Sequence, residues 1–481
     1  MSTQYDAVVV GSGPNGLAAA IKLARNGASV CVVEAAEQFG GGMRSGELTL
    51  PGFVHDKCSA VHPLGSLSPF FRQLPLEQHG LRWIRPPASV AHPLDDEPAV
   101  LLYRSLDRTA ENLGPDGEKW KFFFRLLLKN PHGLLADILG PLSIPRHPFL
   151  MARFGLSGLL SAQAVARSRF TGRRAQALFA GCAAHSILPL EFAGTAAVGM
   201  LFALSAHVED WPMAAGGSQK IADALVSYFR WIGGTLVPSK KISSTSDLGA
   251  ARAFLFDTDP RQFARVNESV LPSGYRRRLE KFHYGPGVFK LDWALDGPIP
   301  WRDPRCLEAS TVHIGGTLEE IAASERAAWD GVHSDAPFVL VCQQSQFDPS
   351  RAPAGKHTGY AYCHVPAGST VDMTHIIEKQ IERFAPGFRD IILVRHATAP
   401  ADFERQNPNY VGGAIAGGAA NLTQLFTRPV ARWNPYTTPN PRLFLCSAST
   451  PPGGGVHGMC GYHAAIAAQK RLRTLEPAPL T

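Results

Sequence analysis

The strongest constraint on this chain lies at its start. The strand-like run Ala7-Val8-Val9-Val10 leads into Gly11-Ser12-Gly13-Pro14-Asn15-Gly16, and Leu17 to Asn26 then reads as a helix stopped by Gly27. A second strand, Ser29 to Val33, ends at Glu34. Each glycine has a separate task in such a unit. Gly11 permits the tight turn, Gly13 lets the backbone approach a diphosphate, and Gly16 lets the helix pack close to the strand. The helix N-terminus at Pro14 and Asn15 supplies partial positive charge for an anion. Glu34 stands where a carboxylate accepts hydrogen bonds from ribose hydroxyls. An ordinary glycine turn would leave Glu34 unexplained, so the unit reads as dinucleotide-binding.

The rest of the composition narrows the class. A chain of 481 residues is too long for one compact core, and 45% hydrophobic with 18% charged residues is ordinary globular composition. The net charge of +7 is mild, and no basic stripe with interleaved aromatics points to nucleic acid. Eight cysteines without a CxxC or CxxxxC pair, and no basic-then-apolar leader, fit a reducing, cytoplasmic setting or an organelle interior, with free thiols throughout. They speak against zinc ribbons and redox disulfides. No GxSxG elbow is present, and His185, His207 and His313 lack metal-ligand spacing. The longest apolar run, Phe192 to Ala206, is too short to span a bilayer and reads as a buried helix. Leu126 to Val165 is apolar too, but interrupted by Pro131, Pro141, Pro145 and Pro148. Two readings stand for it: short helices packed over a substrate domain or between two copies of the chain, or a peripheral membrane contact.

A second glycine cluster, Gly40-Gly41-Gly42-Met43-Arg44, follows Glu34. Together with the first unit it resembles the signature of the flavin amine oxidase and phytoene desaturase superfamily. The resemblance implies FAD, with Gly41 and Gly42 along its ribityl-diphosphate portion and Arg44 as a cation for a phosphate. The superfamily commonly has Gly-Gly-Arg contiguous, whereas Gly42 and Met43 intervene here. Further motifs resemble the phytoene dehydrogenase-related branch: Leu50 to Asp56, Cys58 to Leu64, Trp211 to Gln219, Phe254 to Pro260, and Asp348 to Pro353. Near the C-terminus, a strand from Leu443 to Ser449 precedes a glycine turn holding Gly453-Gly454-Gly455-Val456-His457-Gly458, and a helix from Tyr462 to Leu472 follows. By resemblance this segment closes over the flavin, with Gly455, Val456 and His457 as contacts. The helix dipole would favour negative charge on the reduced cofactor.

These pieces predict an α/β chain in which an FAD-binding Rossmann-like domain (1–70, 212–270, 435–478) is interleaved with a mixed α+β substrate-binding domain (71–211, 271–434). Two residues are candidates for catalysis. Lys290, in Tyr284 to Lys290, resembles the lysine that flavin amine oxidases link through water to the flavin; alternatively it is a surface lysine or a partner of Asp292. His457 touches the flavin or stands behind it, and His62 lines the pocket or is structural. The expected function is FAD-dependent removal of hydride from a small, fairly apolar organic substrate, by desaturation or oxidation, with oxygen, quinone or another acceptor. The alternative is a flavin-bound isomerase or a non-catalytic flavoprotein with an interaction role.

Overall fold

The computed structural model describes residues 4–472, 474–476 and 478–480. Its organising element is a five-stranded, wholly parallel sheet in the order Leu443–Leu445, Ala251–Phe256, Tyr5–Val10, Val30–Val33, Thr235–Val237. The chain leaves this sheet after Val33, returns at Thr235, leaves again after Phe256 and returns at Leu443. A parallel sheet is covered on both faces, which is why its strands are nearly continuous Val, Ala, Leu and Phe. Strand alternation divides them between two cores. Ala7, Val9, Val30, Val32, Ala253 and Leu255 face one, built with the helices Pro14–Ala24, Gln219–Trp231 and Met459–Leu472. Val8, Val10, Val33, Phe254 and Phe256 face the other, against Phe263, Tyr275 and Leu279. The first and last helices cross so closely that a Cβ on Gly461 would collide with the backbone carbonyl of Asn15. The tail packs back as well: Ala478 bridges Ala251 and Leu480 is buried.

A seven-stranded mixed sheet forms the second body, in the order Ile392–Thr398, Gly287–Leu295, His357–Val365, Val339–Cys342, Ala309–Ile314, Ala88–His92, Val100–Leu102. Its strand Gly287–Leu295 alternates apolar residues with Lys290 and Asp292. All nine residues are buried, because the strand pairs on both edges and both faces are covered.

Helices between 106 and 209 cover one side, around Trp120, Phe124, Phe170 and Phe179. Pro131 and Pro148 do not break helices; each opens one, Pro131–Ile138 and Pro148–Gly158, where the missing N–H costs nothing. The long apolar run becomes the helix Thr195–Glu209. Among the described residues no helix is long and apolar enough to cross a membrane.

Candidate active site

In parallel sheets ligands bind beyond the carboxyl ends of the strands. A cavity of about 740 Å³ opens there, and each of the five strands contributes to it. Gly11–Asn15 follow the first strand, Glu34–Ala36 the second, Lys240–Ile242 the third along the chain, Asp257–Asp259 the fourth and Ser447–Ser449 the last.

The turn after the first strand is held from both sides. Gly11, at φ +98°, donates its N–H to the Val33 carbonyl (2.8 Å). Gly16 N–H donates to Asp257 Oδ2 (2.8 Å), and a Cβ on Gly13 would come within 2.5 Å of the same oxygen. A Cβ on Gly16 would strike the Gly11 carbonyl, which is the helix-to-strand closeness expected of that glycine. Burial pushes the Asp257 carboxyl up to about 7, despite the Gly16 bond, and nearby Glu34 adds to the rise. This residue had no role in the sequence-based site.

Glu34 is already engaged by its own chain. Oε2 accepts from Ser12 N (2.8 Å) and Ser12 Oγ (2.6 Å), and Oε1 accepts from Ala36 N (2.9 Å). With two lone pairs per oxygen, Oε2 is saturated and Oε1 retains one acceptor position. The carboxylate therefore clamps the glycine turn to the second strand and has room for one further donor.

The second glycine cluster meets the first. Gly41 opens a short 3₁₀ turn, Gly41–Met43, at φ +55°, and its Cβ would lie 3.0 Å from Gly13 Cα. A side chain at Gly42 would run into the Tyr410 hydroxyl. Arg44 lines the cavity, but its Nε donates to the Gly41 carbonyl (2.9 Å) and a terminal nitrogen to the Gln406 carbonyl (3.1 Å). On the opposite wall, Gly455 (φ +127°), Val456 and His457 also line the cavity. His457 Nδ1 accepts from Met459 N–H (3.0 Å), an imidazole cap on the last helix. Burial lowers its pKa to about 4, so it is a neutral ring whose Nδ1 is occupied, not a free acid or base.

Lys290 takes the second of its two expected places, beside Asp292. Its ammonium is buried, paired with Asp292, and lies 4.4 Å from the centre of the Tyr360 ring. Tyr360 lines the cavity, with its hydroxyl donating to the Cys58 carbonyl (2.5 Å); Lys290 does not line it. The strand's central position in the sheet explains why a lysine there is neither on the surface nor in the pocket. His62 lines the cavity and shares a hydrogen bond with Ser218 Oγ (2.8 Å).

Three of the motif segments meet in one buried junction beneath the site. Arg351 donates to Asp56 (2.6 Å), and Asp56 also accepts from Ser45 Oγ (2.7 Å) and Ser218 N–H (2.8 Å). Burial would raise the Asp56 carboxyl, but Arg351 and these donors hold it below the usual range. Asp348 accepts from Gly216 N–H (2.7 Å).

The other half of the cavity is of different chemistry. It is walled by Leu139, Val198, Phe202, Trp211, Leu340 and Tyr362, and among the described residues the charged side chains of the lining belong to the strand-end half. Its polar groups are few. His185 is stacked on Phe202 (4.4 Å between centroids), and its Nε2 lies 3.1 Å from His313 Nε2. Burial lowers its pKa to about 3, so it stays neutral. Ser186 Oγ is buried without a partner among the described residues, and Ile187 adopts φ +54°. A β-branched residue in the left-handed region is strained, and such strain concentrates at ligand sites. Nothing local in the sequence marked this turn.

Residues 9–74 match a family model described as an NAD(P)-binding Rossmann-like domain. The chain is 26% identical to pyridine nucleotide-disulfide oxidoreductase domain-containing protein 2 of Mus musculus, over 99% of this chain and 95% of that protein. The resemblance read from the motifs thus extends along the whole chain. Among solved structures, an oxidoreductase from Methanosarcina mazei superposes with a TM-score of 0.65 at 15% identity, covering 97% of this chain and 100% of the other. Cyclohexylamine oxidase from Brevibacterium oxydans superposes at 0.57 and 14% identity, covering 98% and 99%. The chain thus shares the fold of these oxidoreductases, with a Rossmann-like unit at its start.

Proposed function

We propose that this chain is an FAD-dependent oxidoreductase that takes hydride from an uncharged, largely apolar organic molecule. The observation that carries the reading is the division of one continuous cavity. One half lies at five strand ends and is lined by glycine backbone; the other is aromatic and aliphatic, without a charged group among the described residues. The full-length likeness to a protein named as an oxidoreductase supports it.

The residues fit the cofactor. Glycines at 11, 13 and 41 let the two glycine turns close on each other and on Asp257, where a side chain would collide with the chain itself, and Asn15 Oδ1 is buried with no partner among the described residues. Gly11 to Gly16 and the following helix N-terminus would hold the diphosphate, Glu34 Oε1 a ribose hydroxyl, and Gly455 to His457 the flavin end. When bound, flavin supplies a two-electron acceptor, so no acid or base on the chain is required for the hydride itself. The chain's own task is to exclude water and orient the substrate. Phe202, Trp211 and Tyr362 form the apolar walls, and neutral His185 and unpartnered Ser186 offer hydrogen bonds to one hydroxyl or carbonyl oxygen. An ammonium group would meet no carboxylate of the described residues in that half, which disfavours diamines and argues for alcohols, ketones or alkenes. The proton left on the substrate leaves to solvent or a neutral polar group, and an oxygen, quinone or protein acceptor reoxidises the cofactor.

Purified protein is expected to be yellow and to release FAD on acid precipitation. Anaerobic mixing with a panel of neutral apolar molecules, amines and carboxylates should bleach the flavin with the neutral class. Colourless protein that fails to take up added FAD would overturn the cofactor reading. Bleaching only by amines would overturn the substrate reading.

A further inference from the structure

Large exposed apolar side chains are concentrated on one short stretch of this chain. Ile144 is 94% exposed, Phe149 90% and Leu156 76%, with Leu142, Leu159 and Phe122 more than half exposed nearby. Phe149, Leu156 and Leu159 recur at helical spacing on the outer face of Pro148–Gly158, while Phe154, Ser157 and Gly158 are buried on its inner face. The helix is thus apolar on both sides, and no part of the described chain covers the outer one.

The exposed charge around it is mostly positive, the Asp137 carboxylate being buried against the Arg146 and His147 N–H groups. Between Asp137 and Glu191 the sequence has no carboxylate, yet it carries Arg146, Arg153, Arg167, Arg169, Arg173 and Arg174. Arg167, Arg173 and Arg174 reach acidic residues elsewhere in the chain. Arg125 and Arg153 flank the exposed Phe122 ring, and Arg146 is exposed between Ile144 and Phe149.

We propose that this face docks onto an anionic lipid surface, with Ile144 and Phe149 as the inserting side chains and Arg125, Arg146 and Arg153 over the headgroups. An apolar face ringed by arginines matches that surface in both hydrophobicity and charge. A second copy of the chain is the poorer occupant, because twofold self-pairing would set these arginines against one another, and the nearby Asp137 carboxylate is buried and already bonded to the Arg146 and His147 N–H groups. The position also suits a lipid source. The segment begins directly after Ile138 and Leu139, which line the cavity, and its helix packs through Gly158 on Ala197 of the helix that presents Val198 and Leu201 to the cavity. Docking itself goes beyond the redox reading; only the delivery of an apolar substrate rests on it.

The test is flotation of the full chain with vesicles of phosphatidylcholine alone or with about a third phosphatidylserine, at low and moderate salt. Binding is expected to require the anionic lipid and to weaken as salt rises. Ile144→Ser with Phe149→Ser should lower the bound fraction at least about ten-fold, and Arg146→Gln with Arg153→Gln should remove the preference for phosphatidylserine. Circular dichroism and flavin content should stay at the parent level, and Ile144→Ser alone, in a loop, gives a second variant with little risk to folding. Protein that stays unbound with phosphatidylserine vesicles at low salt overturns the proposal. So does a two-chain species in light scattering that Phe149→Ser converts to single chains. Flotation needs no turnover, so failure of the redox reading would leave this result standing.

Discussion

Glu34→Ala separates two roles that the structure gives one carboxylate. On the chain's side, three hydrogen bonds are lost, from Ser12 N, Ser12 Oγ and Ala36 N. Bonds to a charged acceptor are each worth about 1.5–3 kcal/mol when buried, but this site opens on the cavity and water replaces part of them, so about 2–3 kcal/mol in total is expected. On a chain of 481 residues the unfolding entropy is large, and that loss moves the melting midpoint by only about 2–3 °C. On the ligand's side, Oε1 has one acceptor position left, so one charge-assisted bond to FAD is lost. That corresponds to roughly ten- to a hundred-fold weaker binding. Titration of apoprotein by flavin fluorescence measures it. Ser12→Ala is the control: it removes the hydroxyl bonds to Glu34 and from Gly40 N–H but not the free position on Oε1, so affinity should move only a few-fold. An unchanged FAD dissociation constant in Glu34→Ala, with the melting shift present, would make Glu34 a turn clamp and nothing more.

Asp257 gives a pH dependence. Its carboxyl is raised from 3.8 to about 7, so its contribution to stability is present below the ordinary value and lost as pH rises through about 7. Over the same range it becomes an anion beside the proposed diphosphate, so FAD affinity should fall between about pH 6 and 8; Asp257→Asn should flatten that fall, and an identical slope in the variant would refute the assignment. Arg351→Met leaves Asp56 buried without its cation and should cost about 3–5 kcal/mol in denaturant unfolding, partly recovered by adding Asp56→Asn. His185→Phe keeps the stack on Phe202 but deletes the ring nitrogens. It should lower kcat/KM about ten-fold or more for substrates with a hydroxyl or carbonyl and leave those without oxygen near the parent value.

Local chemistry explains which features were legible before the fold was seen. The first strand, its glycines, the helix and Glu34 act on one another within a few turns of chain, and the residues there read in order. Asp257 was not legible as part of that site, because it reaches the Gly16 N–H from a strand that joins the sheet far along the chain. The substrate half shows the same limit. Tyr360, Trp211 and His185 come from a strand, a connecting segment and a helix end, and no spacing unites them. Of the places open to Lys290 the structure favours the pair with Asp292, because Gly287–Leu295 is buried along its whole length and leaves no solvated face for a lone lysine. The prolines at 131 and 148 divide the region into short helices, as expected, by standing at the helix starts. The motifs Leu50 to Asp56, Trp211 to Gln219 and Asp348 to Pro353 were specific, and the structure makes them partners in a buried polar junction.

That leaves the question of what Lys290 does to the reoxidation of the cofactor. A lone ammonium near the flavin would favour electron transfer to oxygen by stabilising negative charge. Here Asp292 is bonded to it, and the two opposite charges largely cancel at the distance of the cavity, with Tyr360 at the wall. Burial raises the Asp292 carboxyl against the pull of Lys290, and His55 Nδ1 lies 3.6 Å from its other oxygen. Burial and the Lys290 charge hold His55 neutral, with a pKa near 3, so it adds no charge of its own. Lys290→Met should therefore change the rate of reoxidation by oxygen by no more than a few-fold, since Asp292 takes up a proton when its partner is gone. Asp292→Asn should do the reverse, leaving the ammonium uncompensated and speeding reoxidation. A drop of about ten-fold or more in Lys290→Met, read by stopped-flow recovery of flavin absorbance, would mean that the lysine's charge reaches the cofactor unbalanced.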